Sequence, residues 1–160
     1  MPAAQLPWPS LTVTTKDPGI TGSGLVSQSE QVFDPKPGTR AYDNYVEVDI
    51  VIEVASGREH VLSLGLDQAN VGALTPTDAT GPARPLGNQG LGELGIDTFL
   101  LVPERTSGVA LDSYREVFSQ GLVLCSIVVW GRPGTVDQAT AHRVAILEDA
   151  LIKATPGTAF

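Results

Sequence analysis

The sequence predicts an α+β fold: an antiparallel β-sheet or β-sandwich with one main C-terminal amphipathic helix and an extended N-terminal arm. Three patterns carry this prediction: strict alternation along residues 46–54, an apolar run at 122–130, and a capped amphipathic segment at 135–153. The chain has 160 residues, which is the length of a single domain. We therefore divide it into an arm over residues 1–40 and one α+β domain over residues 41–160.

The arm is rich in residues that interrupt regular structure. Residues 1–40 contain six prolines and four glycines, which leave room only for short strands at 11–15 and 25–33. An arm of this composition is either loosely held or ordered by lying along a neighbouring subunit. Both alternatives stay open.

The clearest strand covers residues 46–54. Its apolar side chains share one parity and its carboxylates share the other, so that one face is dry and one is wet. The apolar set is Val46, Val48, Ile50, Ile52 and Val54, and the acidic set is Glu47, Asp49 and Glu53. After a turn at 55–58, a second run with the same parity predicts the other strand of an antiparallel hairpin: His60, Leu62, Leu64 and Leu66.

The acidic set is a candidate functional surface. Carboxylates at alternate strand positions lie on the same side of the sheet and can together coordinate a hard cation. A solvated face is the favoured interpretation, with Glu47, Asp49 and Glu53 exposed and binding no metal. In an assembly that surrounds DNA, such a face suits the lumen, because it repels phosphate.

Residues 67–95 predict a long loop, since they contain six glycines and three prolines. Loops of this length usually serve binding or are disordered. The run Gly87–Gly92 resembles a phosphate loop, but it follows no predicted strand and contains no Lys-Ser or Lys-Thr pair. We therefore assign it no ligand. A short strand is predicted at 98–102, ending at Pro103.

The C-terminal third predicts a helix, a central strand and a second helix. Residues 111–118 fit a short helix, with a strand as the competing interpretation. Residues 122–130 are apolar on both parities, as in a strand that is covered on both faces. Thr135 and Gln138 suggest a capping box for the last helix. Its predicted inward stripe is Val136, Thr140, Val144, Leu147 and Leu151.

No combination of reactive side chains predicts a catalytic, cofactor or metal site. His60 and His142 share no ligand spacing with each other or with Cys125, the single cysteine. We expect His60 on the strand's apolar face, His142 on the helix surface, and Cys125 buried with a raised pKa. The expectation is a non-enzyme without a cofactor.

Charge and hydropathy exclude several partners. The chain has 10 lysines and arginines against 18 aspartates and glutamates, a net charge of −8 that disfavours binding to nucleic acid. No signal peptide and no apolar run long enough to span a bilayer are visible, so no membrane association is expected.

The segment Ser126–Gly134, with its Val-Trp pair, followed by the helix at 135–153, resembles the strand-and-helix core of tail terminator (tail completion) proteins of long-tailed bacteriophages. The resemblance implies a small α/β fold whose copies form a ring at the head-tail junction. It implies a virion protein, made in the host cytoplasm, whose partners are itself and other virion proteins. The alternatives are a small β-rich binding module that uses the 67–95 loop for a ligand or protein partner, and an enzyme of unfamiliar type.

Overall fold

The computed structural model describes residues 1–8, 11–17, 19, 24–34, 45–69, 77 and 79–155. They form one seven-stranded antiparallel sheet with two helices, which confirms the predicted α+β class and selects the sheet over the sandwich. A short 3-10 helix, Ala3–Gln5, precedes the sheet. The strands and helices are β1 (Thr12–Lys16), β2 (Leu25–Asp34), β3 (Val46–Ala55), α1 (Arg58–Ala69), β4 (Arg84–Pro85), β5 (Asp97–Thr106), β6 (Val109–Gln120), β7 (Val123–Gly131) and α2 (Gln138–Ala154).

The sheet has the strand order β1-β2-β3-β7-β6-β5-β4. The predicted central strand, β7, is the fourth of the seven and lies antiparallel to both β3 and β6. Its two faces contact different helices. Leu124 clusters with Val61 of α1, whereas Cys125 clusters with Val144 of α2. We call these two sides of the sheet the α1 face and the α2 face.

Helix α1 replaces the second strand of the predicted hairpin, so that prediction was wrong. Both sides of β3 are already occupied, by β2 and by β7, and no edge remains for a hairpin partner. Leu62, Leu64 and Leu66, whose alternation predicted a strand, lie in this helix. Its fully buried residue is Val61. Gly65 lets this helix lie against Ile96, the residue before β5, since a Cβ at position 65 would lie 2.3 Å from Cδ1 of Ile96.

Residues 109–120 form a strand, β6, and not the short helix that was preferred for 111–118. This strand pairs with β5 on one side and β7 on the other. Residues 116–119, near its C-terminal end, are all buried, because helices cover both faces of the sheet there. The continuous burial removes the period-two alternation that identifies a strand with one wet face.

Pro103 does not end β5, which continues to Thr106. The carbonyl of Pro103 accepts a hydrogen bond from the amide of Thr80, outside the β5–β6 ladder. In a strand the amide and carbonyl of one residue point to the same side. The missing N–H of Pro103 therefore faces away from β6 and costs the ladder no bond.

The predicted arm contributes both of its predicted strands to the sheet, because β1 pairs with β2 and β2 pairs with β3. Leu6 and Leu11 are buried in the core on the α2 face. Residues 9–10, 18, 20–23 and 35–40 of the arm, and residues 41–44 after it, lie outside the described part of the chain. The same holds for residues 70–76 and 78 of the predicted 67–95 loop, which otherwise includes the end of α1 and all of β4.

The predicted C-terminal helix is confirmed, but it starts later and faces the sheet differently. Asp137 is its N-cap, and Oδ1 of Asp137 accepts the amide of Thr140 at 2.7 Å, whereas the hydroxyl of Thr135 donates to the carbonyl of Arg132. The capping box prediction was therefore wrong. The buried stripe is Ala141, Val144, Ala145, Glu148, Asp149 and Ile152.

Across the described residues, neither helix combines the length and the apolar character that crossing a membrane requires.

Candidate functional site

Three ionisable side chains meet on the α2 face, beneath the first turns of α2. Asp97 on β5 lies opposite Phe118, and Glu116 on β6 lies opposite Phe99, so both carboxyl groups point to the same side of the sheet. Asp97 is 7% exposed and Glu116 is 2% exposed. His142 of α2 completes what we call the buried acid cluster.

Glu116 and His142 form a direct contact between the sheet and the helix. Both carboxyl oxygens of Glu116 lie 3.0 Å from Nδ1 of His142. The imidazole packs against the ring of Phe99, with centroids 5.8 Å apart. In the described part of the chain, no lysine or arginine pairs with Glu116.

Burial changes the protonation of this pair. Burial, and then the negative charge of Asp97, raises the pKa of Glu116 to about 9. Burial also lowers the pKa of His142, which the charge of Asp97 partly opposes. Near neutral pH the two side chains therefore share one proton, with the Glu116 carboxyl group donating to the neutral imidazole.

Asp97 is held by the glycine-rich run that resembled a phosphate loop. Its Oδ2 accepts the backbone amides of Gln89, Gly90 and Leu91 at 2.8, 2.6 and 3.1 Å. Gly92, at φ 67°, lets the loop lie against β6, since a Cβ there would be 2.3 Å from the carbonyl oxygen of Ser119. The backbone amides of the loop thus form an anion-binding nest, and the anion that they bind is the carboxylate of Asp97 in the same chain.

The chemistry of the buried acid cluster is limited by its position. General acid-base catalysis requires a group within hydrogen-bonding reach of a substrate atom. Glu116 and Asp97 lie between the sheet and α2, and Oδ1 of Asp97 is buried without a hydrogen bond. This arrangement suits holding a proton inside the fold better than it suits turnover of a substrate.

The sequence missed this cluster because it assigned 111–118 to a helix and His142 to the helix surface. His142 is half-buried and faces the sheet, so the surface assignment was wrong. One signal was present. Taken as a strand, the segment gives Glu116 the same parity as Tyr114 and Phe118, which places a carboxyl group on an apolar face.

The predicted acidic set, Glu47, Asp49 and Glu53, does lie on one face of β3, the α1 face. Glu53 is only 7% exposed, which overturns the expectation that all three are solvated. The cause is α1, which follows β3 directly and covers this end of the face beside Leu124. Glu53 has an interaction partner.

Glu47 and Asp49 lie farther along β3 and are half-buried. The hydroxyl of Tyr45 donates a hydrogen bond to Glu47. Burial, and then the charge of Glu30, raises the pKa of Asp49 to about 6. Glu30, Asp34, Glu47 and Asp49 form the group that we call the acidic end, with Lys16 bound to Glu30 at 2.9 Å. Within the described ranges, no group of three or more His, Cys, Asp or Glu side chains is arranged to hold a metal ion.

The remaining reactive residues have structural partners. His60 lies in α1, not on a strand, and its Nδ1 is 2.9 Å from the hydroxyl of Ser56. Cys125 is fully buried as expected, and burial raises the pKa of its thiol.

Trp130, from the Val-Trp pair, belongs to a polar cluster on the α1 face. Its indole N–H donates to Oε2 of Glu104 at 3.2 Å, while Arg115 binds Oε1 of the same carboxylate at 2.8 Å. Because Glu104 is buried between the two donors, this cluster connects three strands and leaves no open site.

The edge of the sheet at β1 is accessible along its whole length. All five residues of this strand are exposed, with Val13 at 48%. Among the described strands, β1 has a neighbour only on its β2 side. The opposite edge is different, since β4 has two residues and one of them is Pro85.

Comparison with protein-family models, curated proteins and solved structures finds no match for this chain.

Proposed function

We propose that this protein is a non-enzymatic structural subunit that assembles with copies of itself through the β1 edge. The open edge carries the proposal, because the unpaired amides and carbonyls of an edge strand are a template for a strand from another chain. Thr12, Val13, Thr14 and Thr15 are four consecutive β-branched residues, a composition that favours strand pairing. Lys16, the charge that would discourage pairing, is bound to Glu30.

A second copy is the partner that the edge fits best. Addition of β1 to the opposite edge of another copy is disfavoured, because β4 is short and Pro85 lacks an amide donor. Antiparallel pairing of two β1 strands about Thr14 is self-complementary. It places Val13 beside Thr15 and Thr12 beside Lys16, so that no like charges face each other.

We further propose that the assembly is part of a virion, such as the tail terminator ring of a phage or a related shell, with other virion proteins as its partners. The resemblance of 126–134 and the following helix supports this part. The acidic end also supports it, because a carboxylate-rich surface lets DNA pass without binding. A ring requires a second interface in addition to β1.

The test measures the mass of the assembly by light scattering after size-exclusion chromatography. Val13→Lys places a charge on the β1 edge, and Ile146→Lys makes a similar change on the outer side of α2. The two positions are matched, since Val13 is 48% exposed and Ile146 is 46% exposed. We expect an oligomer for the wild type and for Ile146→Lys, and dissociation for Val13→Lys.

Two results contradict the proposal. The first is a wild-type protein that stays monomeric at the highest concentration reached. The second is an oligomer that Val13→Lys leaves intact, which would place the interface elsewhere.

A binding module is the second candidate function, and one groove favours it. This groove has a volume of about 440 Å³ and lies beside β4, within the predicted 67–95 loop and the adjoining strands. Three of its lining residues are prolines, and the full lining is Pro82, Ala83, Arg84, Pro85, Leu101, Pro103 and Asp112. A strictly monomeric protein would favour this function. NMR screening with a small-molecule fragment library would support it if the shift changes were confined to these residues.

A further inference from the structure

The contact between Glu116 and His142 joins the sheet to α2 at a buried position. Glu116 is 2% exposed, and the only hydrogen-bond partner of its carboxyl group in the described structure is His142. A carboxylate buried without a cation is costly, and the neighbouring carboxylate of Asp97 increases that cost. The buried pair is therefore stable when it holds one proton, because the carboxyl group and the imidazole are then neutral together.

We propose that Asp97, Glu116 and His142 form a proton-linked latch, which holds the first turns of α2 on the sheet and releases them when the shared proton is lost. This inference does not depend on the proposed assembly. It assigns a conformational role to the buried acid cluster.

Several other titratable groups lie around the interface between α2 and the sheet. On the α2 face, Tyr114 lies on β6 and Cys125 on β7, and burial raises the pKa of both. Near Tyr114 are the charges of Asp112, Arg84 and Asp137. Farther along α2 lie Glu148 and Asp149, near the terminal amine of Met1 and Lys153 respectively. None of these groups hydrogen-bonds to Glu116 or His142 in the described residues.

The sign of the effect follows from counting protons on the pair. When docked, the pair holds one proton until the pH approaches 9. When released, the carboxyl group has its ordinary pKa of about 4.5 and the imidazole about 6.5, so that the pair holds no proton above pH 6.5. Release therefore frees one proton between about pH 6.5 and 9, and its equilibrium constant rises up to tenfold per pH unit.

Below pH 6.5 the balance changes. The released pair also binds one proton between about pH 4.5 and 6.5, so docking is insensitive to pH there. Below about pH 4.5 the released pair binds two protons. The docked pair does not bind the second proton as readily, because burial lowers the pKa of His142, so docking weakens again. The latch is tightest in mildly acidic solution.

Amide hydrogen exchange along α2 tests the proposal. The intrinsic rate of amide exchange rises tenfold per pH unit. The exchange rate of an amide that the latch protects should therefore rise up to a hundredfold per unit between pH 7 and 9. Glu116→Gln keeps the shape and carries a permanent donor for Nδ1 of His142. In this variant, Ala141, Val144 and Ala145 should follow the tenfold slope. Glu59→Gln, on the exposed side of α1, should keep the wild-type slope.

Two results overturn the latch: a wild-type slope of only tenfold per unit, or an equally steep slope in Glu116→Gln. A second measurement covers the case in which that variant does not fold. NMR of the wild type at pH 8 should show either a protonated Glu116 carboxyl group or two protons on the His142 ring. An ionised Glu116 beside a neutral His142 at that pH would also contradict the proposal.

Discussion

The carboxyl group of Glu116 on β6 lies 3.0 Å from Nδ1 of His142 on α2, although 26 residues separate them in sequence. This contact connects the middle of the sheet to the helix that covers it. It also sets Glu116 and Asp97 apart from the carboxyl groups of the acidic end. Those at the acidic end contact solvent, whereas those under α2 are part of the core.

The first prediction concerns the core at β7. Ile127 is 2% exposed in the middle of the sheet, so Ile127→Asp places a carboxyl group there without a partner. We expect the free energy of unfolding to fall by about 3–5 kcal/mol in chemical denaturation. Ile146→Asp, at an exposed position on α2, is the control and should unfold close to the wild type. Similar midpoints for both variants would contradict the central position of β7.

The second prediction concerns the nest around Asp97. Asp97→Asn removes the charge that three backbone amides solvate, so we expect a loss of about 1–3 kcal/mol in thermal unfolding at pH 7. Asp137→Asn makes the same chemical change at the N-cap of α2. Because Asn and Asp cap helices almost equally well, that control should change stability little. Equal losses of stability in both variants would show that the nest contributes no more than the helix cap does.

The third prediction concerns the cluster on the α1 face. Glu104→Gln leaves the guanidinium of Arg115 largely buried without its counter-charge, which should cost about 2–4 kcal/mol in urea unfolding. Glu30→Gln breaks the more exposed pair with Lys16 and should have only a minor effect. A Glu104→Gln protein as stable as the wild type would show that the pair contributes nothing to the fold.

The fourth prediction concerns Asp49. Its pKa of about 6 in the folded protein lies above the ordinary value of 3.8, so ionisation of this carboxyl group destabilises the fold as the pH rises between these values. Asp49→Asn should therefore raise the melting temperature at pH 7.5 and change it little at pH 3.5. A shift of the same size at both pH values would mean that packing, and not charge, explains the effect.

The fifth prediction concerns DNA and the acidic end. Glu47→Gln with Asp49→Asn should leave the fold intact and increase DNA retention at low salt, with the difference fading as salt rises. Glu53 is kept in this design, because it is buried. Fluorescence anisotropy with labelled duplex DNA measures the effect. Calorimetry that showed a micromolar calcium or magnesium site lost in the double variant would instead make these carboxylates ligands.

The sequence by itself determined the elements whose signal is local. The run of apolar residues fixes β7 as a central strand, the alternation fixes β3, and the apolar periodicity up to Pro156 fixes α2 as a helix. Each pattern lies within one element and depends on the solvent exposure of its own faces. Glu47, Asp49 and Glu53 were also correctly placed on one face of β3 for this reason.

Only the tertiary structure decided which strands are neighbours and therefore what each face contacts. Because β7 pairs with β3, the segment after β3 could not form the other strand of a hairpin and lies across the sheet as α1. The same helix buries Glu53, and α2 buries Glu116 against His142. These contacts join residues that are distant in sequence, and no periodicity within one segment records them, because burial there depends on which other segment covers it.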